Sequence, residues 1–357
     1  MFKLLKFFYF LHLLLAACQE APRRTIAFYH WQTTFLSSPS ENRYLDSLSC
    51  DKLYLKFLDI ARAAGEIKPY TLLDIRDTAS LGGKTIVPVV FIANAVFENI
   101  APEKIGWLAQ KTGIALRSIA GQCPNSCQSP FHGEGYREIQ FDCDWTPSTQ
   151  AAFFTFLQQV RAQLPPKTLL SATIRLHQYK FPKNTGVPPV DRGMLMFYNT
   201  GDIDDLEAGN SIFSPQDAEK YVLGAPKRYP LPLDLALPLF SWTLVYRGET
   251  LWKIIPGEVD LSENPCVQQT NAAAENQPAR YQVLCGTFLG GHYLRPDDWL
   301  RSETMRPASL AAATALAAKT DLARDASIAF FHLDSAVVRR FPTAVLQATV
   351  AQLNTRR

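Results

Sequence analysis

Along residues 138–145 (Glu-Ile-Gln-Phe-Asp-Cys-Asp-Trp) polar and apolar residues alternate. Successive side chains of a strand point to opposite faces. Gln140, Asp142 and Asp144 therefore share one face, and Ile139, Phe141, Cys143 and Trp145 share the other. With the apolar face against surrounding helices, both aspartates point inward. Neighbouring carboxyl groups can serve as acid and base or orient a polar substrate. Buried like charges are costly unless paired, so cations are expected beside them. The same sorting sends Tyr54 and Lys56 inward from a strand at 52–60, and Thr173, Arg175 and His177 inward from one at 169–176. It sends Met194, Met196 and Tyr198 inward from 192–199, and His332 and Asp334 inward from 327–334. Lys56 and Arg175 are the expected partners of the aspartates. For Lys56 and Asp142, lying deeper, a structural ion network competes evenly with an active site. Asp144, His177, Tyr198 and Asp334, nearest the strand ends, favour function.

Aromatic residues add a second signal. Tyr29, Trp31, Trp145, Tyr198, Phe240 and Trp242 all fall at or near strand ends. Aromatic faces beside carboxylates suit sugar rings, which present C–H patches and hydroxyls. The competing use of such rings is packing.

The elements that must position these residues are short apolar runs rich in Val, Ile, Phe and Tyr. They fall near 24–33, 52–60, 85–92, 138–145, 169–176, 192–199, 233–241 and 327–334. Helical patterns lie near 41–50, 102–113, 147–164, 215–224, 308–324 and 341–354. In 147–164, Phe153, Phe156, Leu157 and Val160 form an apolar face, with Thr146 or Ser148 as the cap. Strands alternating with helices predict a parallel sheet. Eight such units predict an α/β fold, a (β/α)8 TIM barrel with its chemistry at the C-terminal strand ends. A doubly wound open sheet is the alternative. After the fifth strand, FPKNTGVPPVD is too rich in Pro and Gly for a full helix. About 85 residues separate the last two strands, so an inserted subdomain is expected at about 243–306.

The chain opens with Lys3 and Lys6, then an apolar run over 7–15 that ends in Leu15-Ala16-Ala17-Cys18. This is the form of a signal peptide, and the run is short of the roughly 20 residues a spanning helix needs. Leu-Ala-Ala-Cys resembles the lipobox of bacterial lipoproteins. That resemblance implies cleavage before Cys18, lipid on Cys18 and a membrane as partner. Gln19, in place of Asp after the cysteine, implies transfer to the outer membrane in a Gram-negative cell. The expected organisation is a signal peptide over 1–17, a lipidated tether over 18–23 and the barrel over 24–357. Five extended residues from Gln19 to Arg23 reach at most about 18 Å, so the barrel is expected close to the membrane.

The formal charge is +3, and loss of Lys3 and Lys6 leaves +1. A surface this near neutral argues against a nucleic-acid partner. Export permits disulfides. Cys123 and Cys127 could close one ring, with a zinc site as the alternative. Cys266 and Cys285 could close another, and Cys50 and Cys143 read as buried thiols.

Asp142-Cys143-Asp144-Trp145-Thr146, then Phe153, Phe156-Leu157 and Arg161, then Leu170-Ser171-Ala172, resembles the fourth and fifth strands of family 18 glycoside hydrolases. Met196-Phe197-Tyr198-Asn199 is similar to that family's strand-six motif, and Ala236-Leu237-Pro238 to its strand-seven motif. The likeness runs in order through most of the chain after the leader. It implies a chitinase-like barrel acting on a glycan, with Asp144 orienting a substrate acetamide and Tyr198 hydrogen-bonded to it. Two positions depart from the pattern. The family's proton-donating glutamate is replaced by Thr146, and Phe330-Phe331 stands where a substrate-stacking tryptophan is expected. A threonine hydroxyl cannot act as the acid.

Two functions follow as expectations. The first is an envelope-anchored glycoside hydrolase working through Asp142, Asp144, Tyr198 and Asp334, its acid supplied by Asp59, Asp202 or Asp334. Lys56, Arg175, His177, Trp31, Trp242 and Asn199 would bind a cell-envelope or surface glycan. The alternative is a catalytically inactive barrel that binds a glycan or a protein. No cofactor or metal is expected. His30, His177 and His332 near strand ends raise a metal hydrolase, but His30-Trp31-Gln32 lacks the H-x-H that such barrels carry on strand one.

Overall fold

The eight apolar runs become the strands of a closed barrel: β1 (Thr25–His30), β2 (Lys52–Ala63), β3 (Thr85–Ile92), β4 (Glu138–Asp142), β5 (Leu169–Arg175), β6 (Arg192–Met196), β7 (Leu233–Pro238) and β8 (Ser327–Phe331). The computed structural model describes residues 24–120, 137–271 and 277–355. Neighbouring barrel strands are parallel, and β1 pairs with both β2 and β8, which closes the ring. Strands buried on both faces need near-continuous apolar sequence, and β3, TIVPVVFI, meets this with six of its eight residues buried. At Gly193 on β6, Ile174 and Leu233 fill the space beside the backbone. A Cβ there would lie 2.8 Å from each, so the position excludes a side chain.

Helices Pro39–Ser47, Pro102–Ala120, Gln150–Arg161, Pro215–Val222, Pro307–Ala317 and Thr343–Thr355 flank the strands. Several open on proline, whose fixed φ suits the first helical position. Pro39–Ser47 is also fixed by a capping box between Ser38 and Glu41. Gln150–Arg161 buries Phe153, Phe156, Leu157 and Val160. It starts later than the sequence pattern suggests, because Thr146, Ser148 and Thr149 bond one another in the preceding turn.

Two connections depart from the alternation. After β2 the chain turns back as an antiparallel strand, Glu66–Leu72, so a hairpin stands where a helix would follow. After β5, only the short helices Leu176–Lys180 and Pro182–Thr185 form. Between β7 and β8 the inserted subdomain is a five-stranded antiparallel sheet with its own apolar core of Val245, Ile255, Leu261, Val283 and Leu300. Cys266 and Cys285 are disulfide-bonded within it, while Cys50 and Cys143 are free and buried. Cys18 with its leader, and Cys123 with Cys127, lie outside the described residues.

The barrel interior is polar in layers. At the N-terminal strand ends Lys52 donates to Glu138 at 2.8 Å, and Arg192 forks onto Asp234 at 2.9 and 3.0 Å. One layer up, Tyr29 donates to Gln140 at 2.5 Å and stacks on Tyr54 with ring centroids 4.8 Å apart.

Candidate functional site

The upper layers repeat one relationship between β4 and β5. These strands run in register, Gln140 beside Ser171. Each inward residue of β4 therefore meets an inward residue of β5. Thr173 Oγ1 donates to Asp142 Oδ1 at 2.7 Å. Arg175 Nε and Nη2 grip the two carboxylate oxygens of Asp144. A planar guanidinium matches a carboxylate in this fork geometry.

Asp142 is 8% exposed and has no ion-pair partner among the described residues. Burial, with the Asp144 charge adding to it, pushes its carboxyl up to about 6. The Thr173 hydrogen bond and Arg175 oppose that rise without cancelling it. Tyr198 is buried over the same layer, and its phenol is held well above the ordinary range, first by burial and then by Asp142. Asp142, Asp144, Arg175 and Tyr198 are thus brought together.

Lys56 has a different partner from the one expected. Its ammonium lies 2.9 Å from Asp59 Oδ2 and sits over the Trp31 ring at 5.3 Å. The reason is a bulge in β2: Lys56 pairs with Val89 and Leu58 with Val90, leaving Phe57 unmatched. The extra residue changes the alternation, so residues three apart share the inner face. Asp59 then lies in register beside Phe91, which lies beside Asp142.

Asp334 also has a partner. Its Oδ2 is 3.3 Å from His332 Nε2, and its Oδ1 accepts from Val337 N at 2.7 Å as the cap of helix Ser335–Arg340. Burial would raise this carboxyl, but His332 and the Val337 amide hold it below its usual value. His30, at the end of β1, is buried against Phe35. Burial, with the nearby charges of His332 and Lys56, brings its imidazole down to about 4.

Phe331 is the hub of the aromatic residues at the mouth. It stacks on Tyr198 at 5.5 Å and meets Trp31 at 5.2 Å, Tyr29 at 5.5 Å and Phe240 at 5.6 Å. Trp242 continues the row against Phe240 at 5.2 Å. Its indole donates to Glu303 Oε2 at 2.8 Å. Glu303 also accepts from the Ser211 and Ile212 amides and lies 2.7 Å from Arg301, both acid and base fully buried. Sequence reasoning missed Glu303 because it lies in the insertion and its amide donors come from the distant loop after β6.

Other candidates lie apart from this group. β5 ends at Arg175, so His177 projects from helix Leu176–Lys180 into solvent rather than inward. It still feels Arg175 and Asp144: burial and the arginine lower its imidazole, and the aspartate opposes them. Asn199 is exposed with φ of 54°, a left-handed conformation that asparagine tolerates well. Its amide donates to Ile212 O at 2.7 Å. Asp202 is exposed and accepts from the Asp204 amide. Trp145 is buried outside the barrel, stacked on Phe153. Thr146 is exposed, its hydroxyl bonded to Ser148 at 2.9 Å. Among the described residues no group of three or more His, Cys, Asp or Glu is arranged to hold a metal.

No protein-family model matches the chain, and no curated protein matches it. Solved structures do. A chitinase from Rhizomucor miehei is similar at 13% identity and TM-score 0.50, over 92% of this chain and 100% of its own. The spore cortex-lytic enzyme SleL of Bacillus cereus is similar at 15% identity and TM-score 0.46, over 93% of this chain and 75% of its own. A xylanase and amylase inhibitor protein is similar at 14% identity and TM-score 0.43, over 93% and 98%. The fold, a (β/α)8 TIM barrel, is shared with the chitinase.

Proposed function

We propose that this chain is a lipoprotein anchored to the bacterial cell envelope through Cys18, and that its barrel binds a glycan at the mouth without cleaving it. The observation that carries the reading is the fork of Arg175 on Asp144. In the family it resembles, the corresponding aspartate would orient the substrate. Here its charge is already matched. Asp59 is likewise engaged with Lys56, and Asp334 with His332. Thr146 offers no acid in the donor's place. What remains suits binding: flat rings at Trp31, Phe331 and Trp242, with the charged groups of Lys56 and Arg175 beside them. A short tether sets the substrate class, since a chain held at the membrane meets cell-wall and surface glycans first.

One observation favours a hydrolase instead. Asp142, with its carboxyl near 6, retains a proton in mildly acidic solution, as a general acid must. Incubation of the purified lipoprotein with peptidoglycan fragments and chitin-type oligosaccharides, followed by mass spectrometry, separates the two. Binding without cleavage leaves every oligosaccharide at its original length. Shortened products, lost in Asp142→Asn, would establish the hydrolase.

A further inference from the structure

The strand starts and the helix-to-strand connections form the base of the barrel, opposite the mouth. Residue 24 enters β1 there, so a link of five residues from Cys18 ends at the base and reaches at most about 18 Å. This face carries basic side chains. Arg24, Lys227 and Lys319 line a cleft of about 430 Å³, and Arg228 and Lys167 are exposed on the same end. Lys227, Arg228 and Lys167 have no ion-pair partner among the described residues, whereas Lys319 shares a 3.4 Å pair with Glu219. Of the acids of this end, Asp191 pairs with Arg161, Asp325 with Arg192, and Asp321 accepts from the Tyr229 amide, while Asp51 at the start of β2 is exposed. Two leucines, Leu223 and Leu169, stand exposed among the basic residues at 58% and 42%. One side of the mouth has the opposite sign. The loop after β6 presents Asp202, Asp204, Asp205 and Glu207, and among the described residues only Glu207 has a side-chain cation, Arg280 at 3.7 Å.

We infer that the base of the barrel docks on an anionic phospholipid surface and holds the mouth pointing away from the membrane. The inference rests on the Cys18 anchor reading for its orientation. Basic groups with interspersed apolar side chains fit the headgroup region of an anionic leaflet. The acidic rim is repelled from that leaflet. A barrel that lies base-down therefore keeps its glycan-binding end open to the envelope space.

The test uses the full lipoprotein in vesicles of phosphatidylcholine, with and without phosphatidylglycerol. Lysines are labelled with an amine reagent and counted by mass spectrometry, with Lys253 of the insertion as the exposed control. In phosphatidylglycerol vesicles, labelling of Lys227 and Lys319 is expected to slow about fivefold, the factor one basic residue contributes near such a leaflet. Lys253 should not change. Arg228→Glu with Lys167→Glu should remove the slowing. Equal rates at Lys227 in both vesicles, or slowing at Lys253 instead, overturn the inference. The intact mass of the same sample reads acylation of Cys18 separately. Protection without acylation would leave the basal surface standing and remove the anchor. Acylation without protection would do the reverse, and absence of both would remove both.

Discussion

Arg175 holds both carboxylate oxygens of Asp144 from the next strand, while Asp142, two residues earlier, is left with a threonine hydroxyl. One carboxylate is neutralised and its neighbour is not. This asymmetry governs how the mouth responds to substitution and to pH.

Replacing Arg175 with Met tests it. Asp144 is 42% exposed on its side chain, so solvent takes over much of the lost attraction and the stability cost should be about 1 kcal/mol or less. The larger effect falls on Asp142. Losing the arginine leaves two unopposed carboxylates, so the Asp142 carboxyl should titrate higher than in the parent. Carbon-13 NMR of the aspartate carboxyls would read the shift. A fall would show that Arg175 does not act on Asp142.

Asp142→Asn should change stability in a pH-dependent way. The folded carboxyl is raised from 3.8 to about 6, so the folded state binds more protons than the unfolded one between these values. Stability contributed by this group is therefore present in acid and lost as pH rises through about 6. Asparagine removes the buried charge. The variant should be more stable than the parent above about pH 7, by on the order of 2–3 kcal/mol, with the gap closing toward pH 4. Denaturant titrations across this range check it. A constant difference would contradict the assignment.

His30→Gln should show the opposite slope. The imidazole is lowered from 6.5 to about 4, so its contribution is complete above pH 6.5 and is lost as pH falls through about 4. Removing it should make the protein more resistant to acid. The windows of His30 and Asp142 overlap with opposite sign, so the parent should look flat between about pH 4 and 6. Melting temperatures should rise above the parent's toward pH 7 in Asp142→Asn and toward pH 4 in His30→Gln, so the two variants depend on pH with opposite slope.

Glu303→Ala breaks the buried pair with Arg301 and releases the Trp242 indole. Removing one member of a fully buried pair costs about 3–5 kcal/mol. The insertion should loosen from the loop after β6, where Glu303 accepts from Ser211 and Ile212. Hydrogen exchange at those amides should rise, and glycan affinity should fall with it. Unchanged exchange would assign Glu303 a local role only.

Much of the barrel was legible because parallel strands buried on both faces must be apolar runs, and eight are present. The alternation in β4 likewise gave the inward set of Gln140, Asp142 and Asp144. Local irregularities hid the rest. The unmatched Phe57 turns Asp59 inward and gives Lys56 a partner that simple alternation assigns elsewhere. His177 was read as strand, but β5 gives way to a helix one residue after Arg175. Asp334 reads in the sequence as a strand-end acid, but its bond to the Val337 amide makes it the cap of a helix that begins next to it. The basal pairs were missed as well: Arg192 and Asp234 join the neighbouring strands β6 and β7, and Lys52 reaches across β3 to Glu138, contacts that alternation along a single strand does not reveal.

Calorimetric titration of the protein with peptidoglycan fragments and chitin-type oligosaccharides tests the central claim most directly, since one trace reads both binding and turnover. Saturable heat with a flat baseline after each injection is the expected result, reduced or lost in Trp242→Ala. Continuous heat that decays as substrate is consumed, or no heat with any glycan, would contradict a barrel that binds glycans without cleaving them.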